Sequence, residues 1–203
     1  EEGLRATRVS AMGYREWAKA ALGRRCGLDR MEAVARNEGG LTGGFSLAAF
    51  LAPAYGHCGR RQEQIALIRE LLAGGEAMAL PALYYAELYT LLGEALLATG
   101  EAAEGEGWLH RAMEAAHTTG DHRQRLRAAL ALAEQEGQTG RTAEAARRLR
   151  SAVQACPLEA GDADGERAWQ LLRRWCESEE QPQSGRAIQP ECDDGFPGDR
   201  ENA

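Results

Sequence analysis

The feature that most constrains this chain is an apolar pattern that occurs twice, 40 residues apart, between residues 86 and 159. Tyr89, Leu92, Gly93, Leu96, Gly100, Gly105, Leu109 and Ala112 in one copy correspond to Ala129, Leu132, Ala133, Glu136, Gly140, Ala145, Leu149 and Ala152 in the next. Each copy reads as two helices joined at a glycine turn. Gly93, Gly105, Ala133 and Ala145 are small enough to let paired helices approach closely, while Leu92, Leu96, Leu109, Leu132 and Leu149 fill the seam. Burying each leucine contributes about 1.5–3 kcal/mol, but one hairpin cannot cover both of its apolar faces. Successive copies are therefore expected to stack around one continuous apolar interior.

This arrangement resembles the tetratricopeptide repeat, whose signature sets a large residue, Leu-Gly and an aromatic ahead of Ala, a large apolar residue, Ala and a terminal proline. Leu92-Gly93 matches the Leu-Gly pair, Pro157 takes the terminal place in the second copy and His117 takes it in the first. Glu136 stands where an aromatic is usual. The resemblance implies an all-α fold: a right-handed superhelix of three to four antiparallel helix pairs with a C-terminal capping helix.

Elsewhere the periodicity predicts helices over residues 11–22, from Leu28 to the Gly39-Gly40 pair, and over 45–56, 61–73, 81–98 and 101–117. Residues 1–10 carry no periodic pattern. Gly23 precedes Gly59 by 36 residues and marks a degenerate earlier hairpin. Pro53 is expected to kink its helix, Asp121 and Gln124 have capping-box spacing, and Thr142 is expected to cap the helix that buries Ala145, Leu149, Ala152, Val153 and Cys156. Arg147, Arg148 and Arg150 should face away from that apolar side. Residues 166–176, with Trp169, Leu171, Leu172 and Trp175, supply the capping helix. The repeat domain thus spans 1–176, and the acidic stretch 177–203 is expected to be a disordered tail.

Composition narrows the function. The chain is 44% hydrophobic but only 6% aromatic, which suits close-packed helices. Its net charge is −7, and residues 177–203 hold eight acidic and two basic side chains, so the repeat domain is close to neutral and no nucleic-acid partner is expected. Glu134, Glu136 and Glu144 dilute the arginines between Arg123 and Arg150, which favours a solvated outer face over an RNA-binding stripe. Five widely spaced cysteines without a CxxC pair suit reduced thiols in the cytoplasm. No apolar run approaches the roughly 18 residues needed to cross a bilayer, so no membrane is expected. Because the chain opens on Glu1, it is read as a piece of a longer protein.

The segments FLAPAYGHCGRRQEQIALIRELL, YYAELYTLLGEALLATG, EGWLHRAMEAAH and GRTAEAARRLRSAV, within about residues 13–175, carry a narrower resemblance. They are similar to the C-terminal helical-repeat region of large bacterial regulators that join a class III nucleotide cyclase or a DNA-binding domain to an AAA-type ATPase. This implies a scaffolding or sensory segment of a signalling protein whose cyclase and ATPase chemistry lies in upstream domains.

Within the chain no Walker loop, GxGxxG turn, HExxH helix or GxSxG elbow appears, and GGLTGG at 39–44 lacks the GK[ST] ending of a phosphate loop. His110 and His117 bracket Glu114, with His122 beyond, but their spacing matches no familiar metal-ligand motif. His57 and Cys58 are adjacent on a helix end and point in different directions, which argues against a thiol nucleophile and its base. Catalysis, metal and cofactor are all expected to be absent.

The resemblance instead implies binding. In the tetratricopeptide family the first helix of each hairpin lines a concave groove, and its second, fifth and ninth positions face the ligand. Here these are Ser46 and Ala49 in one copy, with Pro53 at the ninth place; Glu87, Thr90 and Glu94 in the next; and Arg127, Leu130 and Glu134 in the third. None supplies the lysine and asparagine set that grips peptide C-termini. A mixed, slightly acidic groove is expected, holding a protein or peptide partner or upstream domains of the same polypeptide.

Overall fold

Within each hairpin, a turn of one construction sets the architecture, and Gly120 repeats it between two successive hairpins. At Gly23, Gly59, Gly100 and Gly140 the backbone takes φ of 76°, 72°, 90° and 80°, a left-handed conformation that glycine adopts without steric cost. The N–H of the following residue then reaches back five positions. Arg24 bonds the Lys19 carbonyl at 2.8 Å, while Arg60, Glu101 and Arg141 bond those of Tyr55, Leu96 and Glu136 at 2.9 Å each. This closes the orphan carbonyls of the preceding helix and sends the chain back along it.

The computed structural model describes residues 2–37, 45–74, 82–157 and 162–180. Among these the hairpins are α1 (Glu2–Ala21) with α2 (Arg25–Asn37), α3 (Phe45–His57) with α4 (Arg61–Gly74), α5 (Ala82–Thr99) with α6 (Ala102–Thr119), and α7 (His122–Gln138) with α8 (Thr142–Ala155). A ninth helix, α9 (Ala163–Glu180), follows. The degenerate first hairpin is thus a full member of the stack, and there are four pairs.

Several local expectations change. α1 begins at Glu2 rather than near residue 11, because a helix once nucleated propagates through any stretch without a breaker. α9 runs to Glu180, past the expected boundary at 176, through helix-favouring glutamates. The rest of the expected acidic tail, 181–203, lies outside the described residues, as do Pro81 and the 39–44 loop. α3 spans Pro53, as the helix expected over 45–56 does. Thr142 does not cap α8: Arg141 occupies that place without a side-chain bond. Asp121 does cap α7, accepting from the Gln124 N–H at 3.0 Å. The reciprocal half of the capping box is missing, because the Ala116 carbonyl already takes the Asp121 N–H at 2.9 Å, and Gln124 Oε1 is buried without a partner.

Among the described residues the interior divides into three clusters rather than one. The first runs from Ala20 and Met31 through Ile68 to Leu92 and Leu96. The second joins Leu109 and Ala112 to Ala128 and Leu132, and the third carries Leu126, Leu149 and Val153 to Leu172 and Trp175. Met113 packs against the second and third, and Tyr89 against Trp108, at 5.3 Å between rings, links the first to the second.

Small residues decide how near the helices come. A Cβ on Gly93 would lie 2.6 Å from Leu109 Cγ and 3.0 Å from the Gly105 carbonyl oxygen, so α5 and α6 touch backbone to backbone. A Cβ on Gly137 would meet Trp175 at 2.9 Å, which is how α9 seats on α7. Glu136 is 3% exposed and pairs with Arg148, with Arg141 at 3.9 Å. Arg148 is therefore drawn inward, unlike the exposed Arg147 and Arg150. An ion pair fills the place where the repeat signature has an aromatic.

Candidate protein-interaction groove

The first helices of the hairpins contact one another in series: α1 on α3, α3 on α5, α5 on α7, and α7 on α9. The second helices make no comparable contacts with each other among the described residues. They are bridged by exposed ion pairs, Arg69 to Glu104 at 2.9 Å and Arg141 to Glu106 at 2.6 Å. A stack close on one side and spread on the other is curved, and α1, α3, α5 and α7 form its inner face.

A hollow of about 500 Å³ opens on that face. Its first wall is aromatic. Gly13 on α1 leaves room for the Phe50 ring, against which Tyr14 stacks edge-on at 4.5 Å, and Trp17 meets His57 at 6.1 Å. Its second wall is polar, because Gly56 lets Arg61 and Gln64 lie against α3, where Arg61 donates to Gln64 Oε1 at 2.9 Å. Its third wall is the stripe Tyr84, Glu87, Leu91 and Glu94 on α5, spaced three and four apart so that one helical face presents all of them. Arg127 reaches in from α7 and donates to both Glu94 carboxylate oxygens, from Nε at 2.8 Å and from Nη2 at 2.7 Å.

Charge in the hollow follows these neighbours. Burial, then the charges of Arg127 and Arg61, push the His57 imidazole below its ordinary pKa. Burial pushes the Glu87 carboxyl up, opposed by Arg127 and assisted by Asp121. Arg127 pays for its own burial through the Glu94 hydrogen bond, which holds the guanidinium charged.

Of the residues expected in the groove, Glu87, Glu94 and Arg127 line the hollow. Thr90 and Leu130 do not reach the surface. Thr90 is fully buried, with its hydroxyl donating to the Ala86 carbonyl at 2.7 Å, and Leu130 is 4% exposed within the third cluster. At 3.6 residues per turn, positions two and nine stand about 20° apart on a helix, and position five lies about 60° from position two and about 40° from position nine, on the same side of both. A small rotation therefore turns position five into the interior while the other two stay on the rim. Glu134 faces α9 and pairs with Arg167 at 2.5 Å. Ser46 and Ala49 lie on α3, but their side chains fall outside the described residues.

Tyr14, Trp17, His57 and Arg61 were not foreseen at the site. Tyr14 and Trp17 lie on α1, whose degenerate hairpin offers no clear repeat positions, and Arg61 belongs to a second helix. The outer histidines His110, His117 and His122 are exposed, and among the described residues no group of three His, Cys, Asp or Glu side chains is placed to hold a metal ion. No described helix is long and apolar enough to cross a membrane.

No family model matches the chain, and no curated protein matches its sequence. Two solved structures are similar to it. One is the crystal structure of Podosopora anserina putative kinesin light chain nearly identical TPR-like repeats, with TM-score 0.65 and 20% identity over 88% of this chain and 90% of that one. The other is a variant of the same repeats, with TM-score 0.66 and 20% identity over 88% and 89%. At this identity the likeness speaks to the fold alone: the chain is an all-α, tetratricopeptide-like superhelix of four antiparallel helix pairs with a C-terminal capping helix.

Proposed function

We propose that this chain is a non-catalytic protein-interaction scaffold whose inner face seats a segment of a partner protein or of a neighbouring domain. The observation that supports it most is the half-open hollow of about 500 Å³ between the first helices, which the chain's own side chains leave unfilled. Repeat stacks keep such a face free because each hairpin covers only its neighbours' flanks. The finer part of the proposal places the scaffold in a larger bacterial signalling or regulatory polypeptide in the cytoplasm, with an acidic tail after α9. The resemblance over about residues 13–175 supports that placement.

The test pairs two surface variants. Tyr14 is 63% exposed at the rim, and Arg147 is exposed on α8 away from the groove. Tyr14→Glu is expected to abolish partner or domain binding in a pull-down while Arg147→Glu preserves it. Loss in both variants, or in neither, rejects the groove as the binding face.

A further inference from the structure

Building on that groove reading, we propose that the hollow takes a basic side chain, an arginine or lysine of the partner segment, with Glu87 as its counter-ion. The argument begins with a ladder along the inner face. Glu94, at the ninth position of α5, holds Arg127, at the second position of α7. Forty residues later Glu134 and Arg167 occupy the matching positions and form a single, more exposed ion pair at 2.5 Å. The preceding rung would join the ninth position of α3 to the second position of α5. Those residues are Pro53, which offers neither charge nor donor, and Glu87. Both line the hollow, so the hollow coincides with the missing rung.

Among the described residues no group hydrogen-bonds to the half-buried Glu87 carboxylate. A carboxylate taken from water without a cation is destabilising, and a guanidinium or ammonium brought against it repeats what Arg127 supplies to Glu94. Tyr84 flanks Glu87 one turn away, and Trp17 and Phe50 also wall the hollow. These surfaces suit the aliphatic stem of a basic residue, and their ring faces attract its charge.

The other charged groups around the hollow leave Glu87 without a hydrogen-bonded cation among the described residues. Arg127 on α7 gives its hydrogen bonds to Glu94 and reaches Glu87 only through its charge, while Asp121 at the start of α7 acts in the opposite sense. Arg61 lies at the α3–α4 turn bound to Gln64, and His57, held below its ordinary value of 6.5, is uncharged at neutral pH.

Random peptides displayed on phage and selected on the full 203-residue chain test this directly. Selected peptides are expected to share an arginine or lysine, and replacing it with norleucine in the synthetic peptide should weaken binding about tenfold. Glu87→Gln, folded by circular dichroism, should lose a similar factor and then be indifferent to the norleucine exchange. Peptides that are lost on Tyr14→Glu yet bind Glu87→Gln normally, or acidic peptides that depend on Arg61, overturn the inference and leave the groove standing. Failure to select any peptide, or binding unaffected by Tyr14→Glu and Glu87→Gln alike, overturns both.

Discussion

Arg127 and Glu94 are fixed to each other by two parallel hydrogen bonds, 2.7 and 2.8 Å long, which tie the first helix of one hairpin to that of the next. Glu134 and Arg167 make a single ion pair at the matching positions of α7 and α9. The inner face is thus partly cross-linked by the chain itself, and its acidic residues differ in what they are free to bind.

Breaking the rung tests this coupling. Glu94→Gln is expected to cost about 1 kcal/mol, since the pair is bidentate but only partly shielded from water. The double exchange Glu94→Arg with Arg127→Glu should recover a good part of that loss in urea denaturation. Purely additive effects would mean that the two residues contribute independently.

The glycines of α5 and α6 should separate by position. Gly93→Ala forces a Cβ to within 2.6 Å of Leu109 Cγ and should destabilise by about 1–3 kcal/mol. Gly107 has no atom within 4 Å of its would-be Cβ, so Gly107→Ala should stabilise by about 0.5–1 kcal/mol through helix propensity alone. Thermal melts in which both variants shift the same way would contradict the close α5–α6 approach.

Glu136 and Arg148 form a largely buried pair, 4% and 17% exposed at their side chains. Removing one member strands the other, so Glu136→Ala should cost about 3 kcal/mol, whereas Glu136→Leu with Arg148→Met should cost much less. Equal losses in the single and double variants, measured by equilibrium unfolding, would refute the pairing.

Glu87 predicts a pH dependence. Its folded pKa is raised above the ordinary 4.5, so the folded state holds the proton more tightly than the unfolded chain. The stability that protonated Glu87 confers is complete below the unfolded value and is lost as pH rises through the folded one. Glu87→Gln imitates the protonated form and should melt higher than the parent at neutral pH. That gap should close as pH falls below 4.5. A gap independent of pH would assign the effect to something other than this carboxyl.

Much of the fold was legible from local signals. Gly100 and Gly140 announced turns because a left-handed residue is most easily glycine, and Gly23 and Gly59 extended the series to hairpins whose helices match the repeat poorly. Gly93 and Gly105 announced close helices because a missing side chain is meaningful only where another backbone occupies its place. Glu87, Glu94 and Arg127 followed from position within a repeat.

Other features had no local signature. Thr90 and Leu130 left the groove because a modest rotation about the helix axis decides which neighbours a side chain meets, and packing against the adjoining helices sets that rotation. The pairing of Glu94 with Arg127, 33 residues away, and the lack of a hydrogen-bonded cation for Glu87 among the described residues exist only once the hairpins are stacked. Periodicity and turn chemistry are properties of a short stretch of backbone, so they could be read in order along the chain. Burial, ion pairing and the shape of the inner face depend on distances between segments far apart in sequence, and those were decided when the helices packed.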